Sequence, residues 1–580
     1  MSPLITLLAL PALIPAASAA PVDPVLDALQ DELNRASEAL VLDGAEQPYY
    51  IAYRLSDVYR VGVTAQLGGL IGFGARPDRD LGVEVRVGDE TFDNSNFQSN
   101  RWDRDNGFGM TSLVVDDTAL ALRHDAWLET DTCYKEALET LATKQAAARR
   151  RANGDELPDY VPGPVQTAEA PAEAPADADA LVEQARALSA VFLERPEVEH
   201  SIVYANASAG RRATLDSYGT KVVEPVSAVV IRVVARGRSE DGATVVDHAS
   251  WTVRTEADLP DTAEMLTATE AMADRVESWR SLPQFEDEYV GPVLFEDGAA
   301  IALFRYLLLP SLEGTPAPEQ PAQGSRVVVF SGDSGDGDGA LQTRRRVLPR
   351  GFDVVDDPMA NAGLPSAYAF DLEGEPAQAI TLVRDGIVRT HYASRTPGQG
   401  TESSNGHGRG TISELVRGKA AITTVEAGRP DRARRVRREA LQLASSYDLD
   451  HYLVVRQLSD PTLASADLGA MLSLGGGGAS GSLPPPIAVY RVYADGREEA
   501  LRGADFASVD VRLLRDIVAV GEVHTETFLQ PSGRRGGGPT SGMPTTLTAP
   551  DVLISEVVLT PSRKDVERPP KLPNPLADGG

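Results

Sequence analysis

Apolar residues recur at Val25, Leu26, Leu29, Leu33, Ala36 and Leu40, the steps of one helical face, and the pattern stops at Asp43-Gly44. An amphipathic first helix is expected there. The next segments, YYIAYRLSDVYRVGVTAQLGGLIG and LGVEVRVGDETFDNSNF, read as strands with one buried face. In the second, Leu81, Val83, Val85 and Val87 alternate with polar or small positions. From Trp127 to about Arg151 the helical period returns. The Ala/Pro/acidic stretch PGPVQTAEAPAEAPADADA then offers too few apolar residues to pack, which predicts a mobile linker over 153–180.

A second unit, 181–290, opens with a helix through Leu181, Ala185, Leu188 and Phe192. Strands follow in HSIVYANAS, RRATLDSYGTK, PVSAVVIRVVARGR and TVVDHASWTVRT, with Asp241-Gly242 marking the turn between the last two. Thr262 to Trp279 is again helical, and GPVLFEDGAAIALFRYLLLP, residues 291–310, has the cadence of one more helix. Beyond Pro310 the chain is rich in turns and strands. IAVYRVYADGREEALRG is a hairpin pattern around Asp495-Gly496, RARRVRREALQLASSYDLD is a helix, and LGGGGASGSLPPP is a flexible loop. The expected fold class is α+β: an N-terminal unit at 21–152, the linker, the unit at 181–290, and a large, mainly antiparallel β domain at 291–580. No internal repeat is evident.

The first twenty residues, MSPLITLLALPALIPAASAA, add an export expectation. Their short apolar run ends in small residues with an Ala17-Ser18-Ala19 cleavage pattern, and Pro11 and Pro15 oppose the competing reading of a buried N-terminal helix. A periplasmic or extracellular protein is expected, with 1–20 removed. No later stretch is long and apolar enough to span a bilayer. Lys and Arg number 55 against 85 Asp and Glu, a net charge of -30 that disfavours nucleic-acid partners. Cys133 is the sole cysteine, which excludes an intramolecular disulfide and a cysteine-rich zinc site.

Several short motifs yield to blander readings. Gly332-Asp333-Ser334-Gly335 matches the surroundings of a serine-peptidase nucleophile, but no matching histidine segment or cysteine framework accompanies it. Gly335, Gly337 and Ala340 imitate a dinucleotide loop, yet Asp333, Asp336 and Asp338 would place negative charge where phosphates belong. The same aspartates lack the twelve-residue spacing of a calcium loop. The seven histidines form no H-E-x-x-H or H-x-x-x-H pair, and His524-Thr525-Glu526 has no cysteine pair to complete a deaminase-like zinc site. Asp356-Asp357-Pro358 ends a strand and starts a turn more readily than it forms a catalytic pair. The basic run RARRVRR reads as a solvated helix face.

Three segments in order, VLPRGFDVVDDP, FDLEGEPAQAITLVRDGIV and SRTPGQGTESSNGHGRG, resemble the TldD/PmbA family, once called modulators of DNA gyrase and regarded as metallopeptidase-related. The resemblance covers roughly Gly291 to Pro561, and LGVEVRVGDETFDNSNF resembles the family's first sheet. It implies a zinc site built from an H-E-x-x-x-H helix and a downstream cysteine. Laid on VLFEDGAA, that motif puts Phe295 and Ala300 where the histidines belong and keeps Glu296, and no cysteine follows. The chain thus resembles a zinc-free subunit type, without metal or other cofactor and without a confident catalytic residue. The resemblance implies a role in proteolysis as a peptide-binding or partner subunit, in a homo- or hetero-oligomer whose partners are peptides or a zinc-bearing relative. The alternative is an active metallopeptidase holding zinc at an unrecognised site, with His391 or His407 and acidic neighbours.

Overall fold

Asp23 caps the first helix by accepting hydrogen bonds from the Val25 and Leu26 N–H groups, the usual device for the unpaired donors of a helix start. In this computed structural model the described residues are 23–97, 106–149, 157–316, 318–319, 341–398, 400–461, 483–530, 540, 542–562 and 574–578. The export segment, the Gly332–Gly335 motif with its neighbouring aspartates and most of the LGGGGASGSLPPP loop lie outside them.

The N-terminal domain comprises α1 (Pro24–Ala39), β1 (Tyr50–Gln66), β2 (Gly69–Arg86), β3 (Phe108–Ser112), α2 (Ala119–Ala148), β4 (Thr167–Glu169), α3 (Ala178–Ala190), β5 (Val198–Asp216), β6 (Lys221–Arg238), β7 (Thr244–Val253) and α4 (Thr262–Trp279). Its strands form one sheet in the order β3-β2-β1-β5-β6-β4, with β7 also on β6. The period of two decides what each face does. Odd-numbered positions of β1, from Tyr53 and Leu55 to Val61 and Val63, join the helices in two apolar clusters. Even-numbered positions such as Arg54 and Arg232 turn to the other face, toward the rest of the chain.

Two sequence expectations are corrected here. The segments 21–152 and 181–290 are not separate units, because β1 pairs with β2 on one side and with β5 on the other, Tyr53 lying opposite both Val83 and Leu215. Nor is 157–180 a free linker. Thr167–Glu169 adds a parallel edge strand to Lys221–Val223, Tyr160 is buried, and the Tyr160 and Val161 N–H groups donate to Glu90 and Arg395 carbonyls. An edge strand needs only main-chain bonds and a few anchors, so low apolar content does not prevent ordering.

The C-terminal domain begins with β8 (Tyr289–Phe295) and α5 (Asp297–Ser311), and continues through β9 (Asp353–Asp356), β10 (Ile380–Arg384), β11 (Ile387–Val388), β12 (Gly408–Arg409), β13 (Arg417–Gly418), β14 (Ile422–Glu426), α6 (Ala433–Ser446), β15 (His451–Val455), β16 (Val489–Tyr493), β17 (Glu498–Leu501), β18 (Ala504–Phe506), β19 (Ile517–Gln530) and β20 (Met543–Pro561). Its large sheet runs β11-β10-β9-β14-β20-β8-β15-β16-β17, with β18 and β19 also on β20, and is antiparallel except at β14–β20 and β8–β15. The fold is therefore α+β with mostly antiparallel sheets. The hairpin at Asp495-Gly496 and the helix over RARRVRREALQLASS stand where the pattern puts them.

The stretch 291–310 is not one helix. Its first part, rich in Val, Leu and Phe, is the central strand β8, with Phe295 between Val455 and Val552. Only after a sharp turn does α5 start, with Asp297 in the left-handed region at φ 52°, a conformation Asp tolerates better than most residues. Glu296 and Ala299 N–H groups donate to Val455 and Arg456 carbonyls and fix that turn.

Candidate functional site

Where the polar face of the first sheet meets α5, a cleft of about 370 Å³ opens. Arg232 and His248 come from β6 and β7, Arg275 and Trp279 from α4, and Ile301, Ala302, Arg305 and Tyr306 from α5. Arg456 to Asp460 follow β15, Tyr490 lies on β16, and Glu526 and Phe528 lie on β19. Four arginines line it together with Asp297, Asp460 and Glu526, so both signs of charge face this space.

The guanidinium groups are held by aromatic faces and by carboxylates. Arg305 lies 4.2 Å from the Phe528 ring centre and 5.0 Å from that of Tyr306, and Arg456 lies 4.5 Å from that of Tyr490. Arg456 donates from Nε to Glu296 at 3.2 Å and reaches both oxygens of Glu498 at 3.0 Å. Arg275 pairs with buried Asp247 at 2.8 Å. Asp460 lies 4.0 Å from Arg232 and 3.9 Å from Arg305. Burial lowers the His248 pKa, against the opposing charges of Asp460 and Asp247, and so favours its neutral imidazole. Burial also pushes the Tyr306 hydroxyl up to about 12, which keeps it a neutral donor.

Of Phe295, Glu296 and Ala300, none lines this cleft; Glu296 reaches it only through its carboxylate, which accepts from the lining Arg456. Phe295 and Ala300 are both fully buried in the C-terminal core, Phe295 stacked on Phe506 with ring centres 6.0 Å apart. They sit on a strand and on a helix, so they do not share the helical face that an H-E-x-x-x-H motif requires. The cleft-lining positions of α5 are instead Asp297, Gly298, Ile301, Ala302, Arg305 and Tyr306, and α5 contains neither histidine nor cysteine in any register. Among the described residues no group of three or more His, Cys, Asp and Glu side chains is placed to hold a metal ion. A zinc site needs three or four such donors, and here a guanidinium stands among the acids, so the cleft does not fit zinc.

Three other histidines have local partners. His407 is sealed in the core, with Nε2 3.0 Å from Asp356, whose second oxygen accepts from the Ala421 N–H and the Thr423 hydroxyl. His391 Nε2 meets the Leu341 carbonyl. His524 lies 2.9 Å from Asp551. Asp356 therefore anchors loops rather than pairing with Asp357.

A buried network sets the spacing of the two domains and hence of the cleft. Arg54 donates to the Leu372 carbonyl, Arg395 reaches Glu375 at 2.9 Å and Asp216 at 3.4 Å, and Glu224 accepts from the Ala369 and Phe370 N–H groups. Burial raises Asp371 to about 6, and burial together with the charge of Asp371 raises Glu373 to about 8. In Glu84, by contrast, the charges of Arg86 and Arg54 overcome burial and hold the carboxyl near about 2.

Residues 289–459 match the family description of the PmbA/TldA metallopeptidase C-terminal domain. No curated protein matches the chain. Among solved structures the fold is similar to that of a protein described as a modulator of DNA gyrase from Thermotoga maritima, at TM-score 0.57 and 12% identity over 92% of this chain and 100% of that one. TldE from Thermococcus kodakarensis gives 0.54 and 14% over 92% and 100%, and a protein described as a modulator of DNA gyrase from Bacteroides thetaiotaomicron gives 0.56 and 11% over 93% and 99%. The overall fold is thus similar to that of these proteins. Residues 289–459 match the C-terminal domain of the TldD/PmbA family.

Proposed function

We propose that the protein is an exported, zinc-free member of this family that binds peptide in the interdomain cleft and serves proteolysis as a partner subunit to a zinc-bearing relative. The observation that carries this reading is the cleft face of α5, where Arg305 and Tyr306 project beside Ile301 and Ala302 and the helix itself offers no imidazole or thiolate to a metal. A concave site in which apolar and aromatic side chains alternate with charged groups of both signs suits a peptide, which has side chains, amides and termini to match them. The apolar N-terminal run supports export to a periplasm or the cell exterior, with a mature chain beginning at Ala20 or Pro21, readable by mass spectrometry of protein from its native cells.

The deciding experiment is metal analysis after purification in zinc-replete buffer, coupled to peptide-cleavage assays with and without a zinc-bearing relative. Substoichiometric zinc and cleavage that requires the relative are expected. Tightly held zinc at one per chain, with chelator-sensitive cleavage by this protein alone, would refute the reading and favour an active metallopeptidase.

A further inference from the structure

We propose that the cleft recognises the free carboxylate end of a short peptide, docked on Arg305, with the preceding residue along Ile301, Ala302 and Leu458. This inference rests on the peptide-binding reading above and narrows it to a ligand class.

Arg305 is set apart from the other cleft arginines by its bonding. Arg456 is spent on Glu296 and Glu498, and Arg275 on Asp247. Arg232 is almost wholly buried beside Asp460. Arg305 donates to the Leu529 carbonyl at 3.2 Å, while its nearest carboxylate, on Asp460, stays at 3.9 Å, beyond hydrogen-bond reach.

Stacking then fixes the direction of the remaining donors. A guanidinium laid on the Phe528 face keeps its ring-facing sides covered and its N–H groups in plane, aimed outward. The side chain is only 13% exposed, so its charge is poorly hydrated and gains more from an anion than a surface arginine would. A planar acceptor with two oxygens matches that fork.

The neighbouring acids choose among anions. Asp297, Asp460 and Glu526 also line the cleft. A bare phosphate or sulfate would meet their repulsion on every side. A peptide end presents its carboxylate to Arg305 and its preceding N–H groups to those acceptors, so both signs of charge in the cleft are used.

The test is fluorescence anisotropy with a pool of N-terminally fluorescein-labelled tetrapeptides varied in an apolar last residue, made both as free acids and as C-terminal amides. For the unmodified protein the acids should bind at least about tenfold more tightly than the amides, the worth of a charge-assisted bond. Arg305→Gln should bring acid and amide to the same affinity, Arg305→Lys should keep part of the difference, and the exposed Arg512→Gln should change nothing. Inorganic phosphate should not displace the acids. Equal binding of acids and amides by the unmodified protein overturns this inference and leaves peptide binding standing. Binding of neither form overturns both. Because the acid-to-amide comparison uses the unmodified protein, it decides the matter even if the Arg305 variants misfold.

Discussion

Installing histidines at Phe295 and Ala300 tests whether those positions could ever have formed a zinc helix. Both side chains are fully buried in one core, and neither faces the cleft. Phe295→His removes a ring stacked on Phe506 and leaves at least one imidazole nitrogen without a partner, a loss of about 2–4 kcal/mol. Ala300→His forces a ring into space filled by α5 and its neighbours, at about 1–3 kcal/mol. The two share a core and need not add fully, so the double variant should lose roughly 3–6 kcal/mol, a large part of an ordinary domain's stability. Urea denaturation followed by circular dichroism measures this directly. Repeating it with excess zinc and with chelator separates a new site from a damaged core, because a metal bound only by the folded state would raise the midpoint. Equal midpoints in zinc and chelator are expected, both well below that of the parent. A variant as stable as the parent and further stabilised by zinc would refute the placement of these side chains.

The raised carboxyls at the domain junction set the sign of a pH effect. The folded chain holds its protons on Asp371 to about 6 and on Glu373 to about 8, whereas the unfolded chain releases them near the ordinary carboxyl value of about 4, so their contribution to stability is full in acid and is lost as pH rises toward about 8. Glu373→Gln should therefore gain in melting temperature relative to the parent as pH rises across that window, and a constant difference would contradict the assignment. Gly163→Ala would place a methyl carbon 1.4 Å from Glu375 Oε1, so it should lower the melting temperature and make 157–177 the first site of limited proteolysis; an unchanged digestion pattern would show that this segment does not pack as described. Arg395→Ala strands Glu375 and Asp216 in the buried junction and should cost about 3–5 kcal/mol by denaturant titration, an effect that a merely solvated arginine would not produce.

Local patterns in the sequence were enough to identify most elements. The helical steps from Val25 to Leu40, the alternation through Leu81 to Val87 and the Asp495-Gly496 turn each depend on neighbours within a few residues, and each appears as the pattern implies. The family resemblance was likewise carried by contiguous segments that survive as β9, β10 and the loops beside them. Long-range pairing was not legible in that way. That β1 joins β2 to β5, that Thr167–Glu169 is an edge strand and that Tyr289–Phe295 is the centre of a sheet all depend on partners far along the chain. The cleft left one faint trace in sequence, single arginines set within apolar runs, Arg232 in VVIRVV and Arg305 in IALFRYLLL. A charge in such a run must find a partner or a solvent-filled opening, but which one is decided by the surfaces that fold against it. Here the even-numbered face of one sheet and one side of α5 close on the same space, and only their packing turns scattered arginines and aromatics into a site.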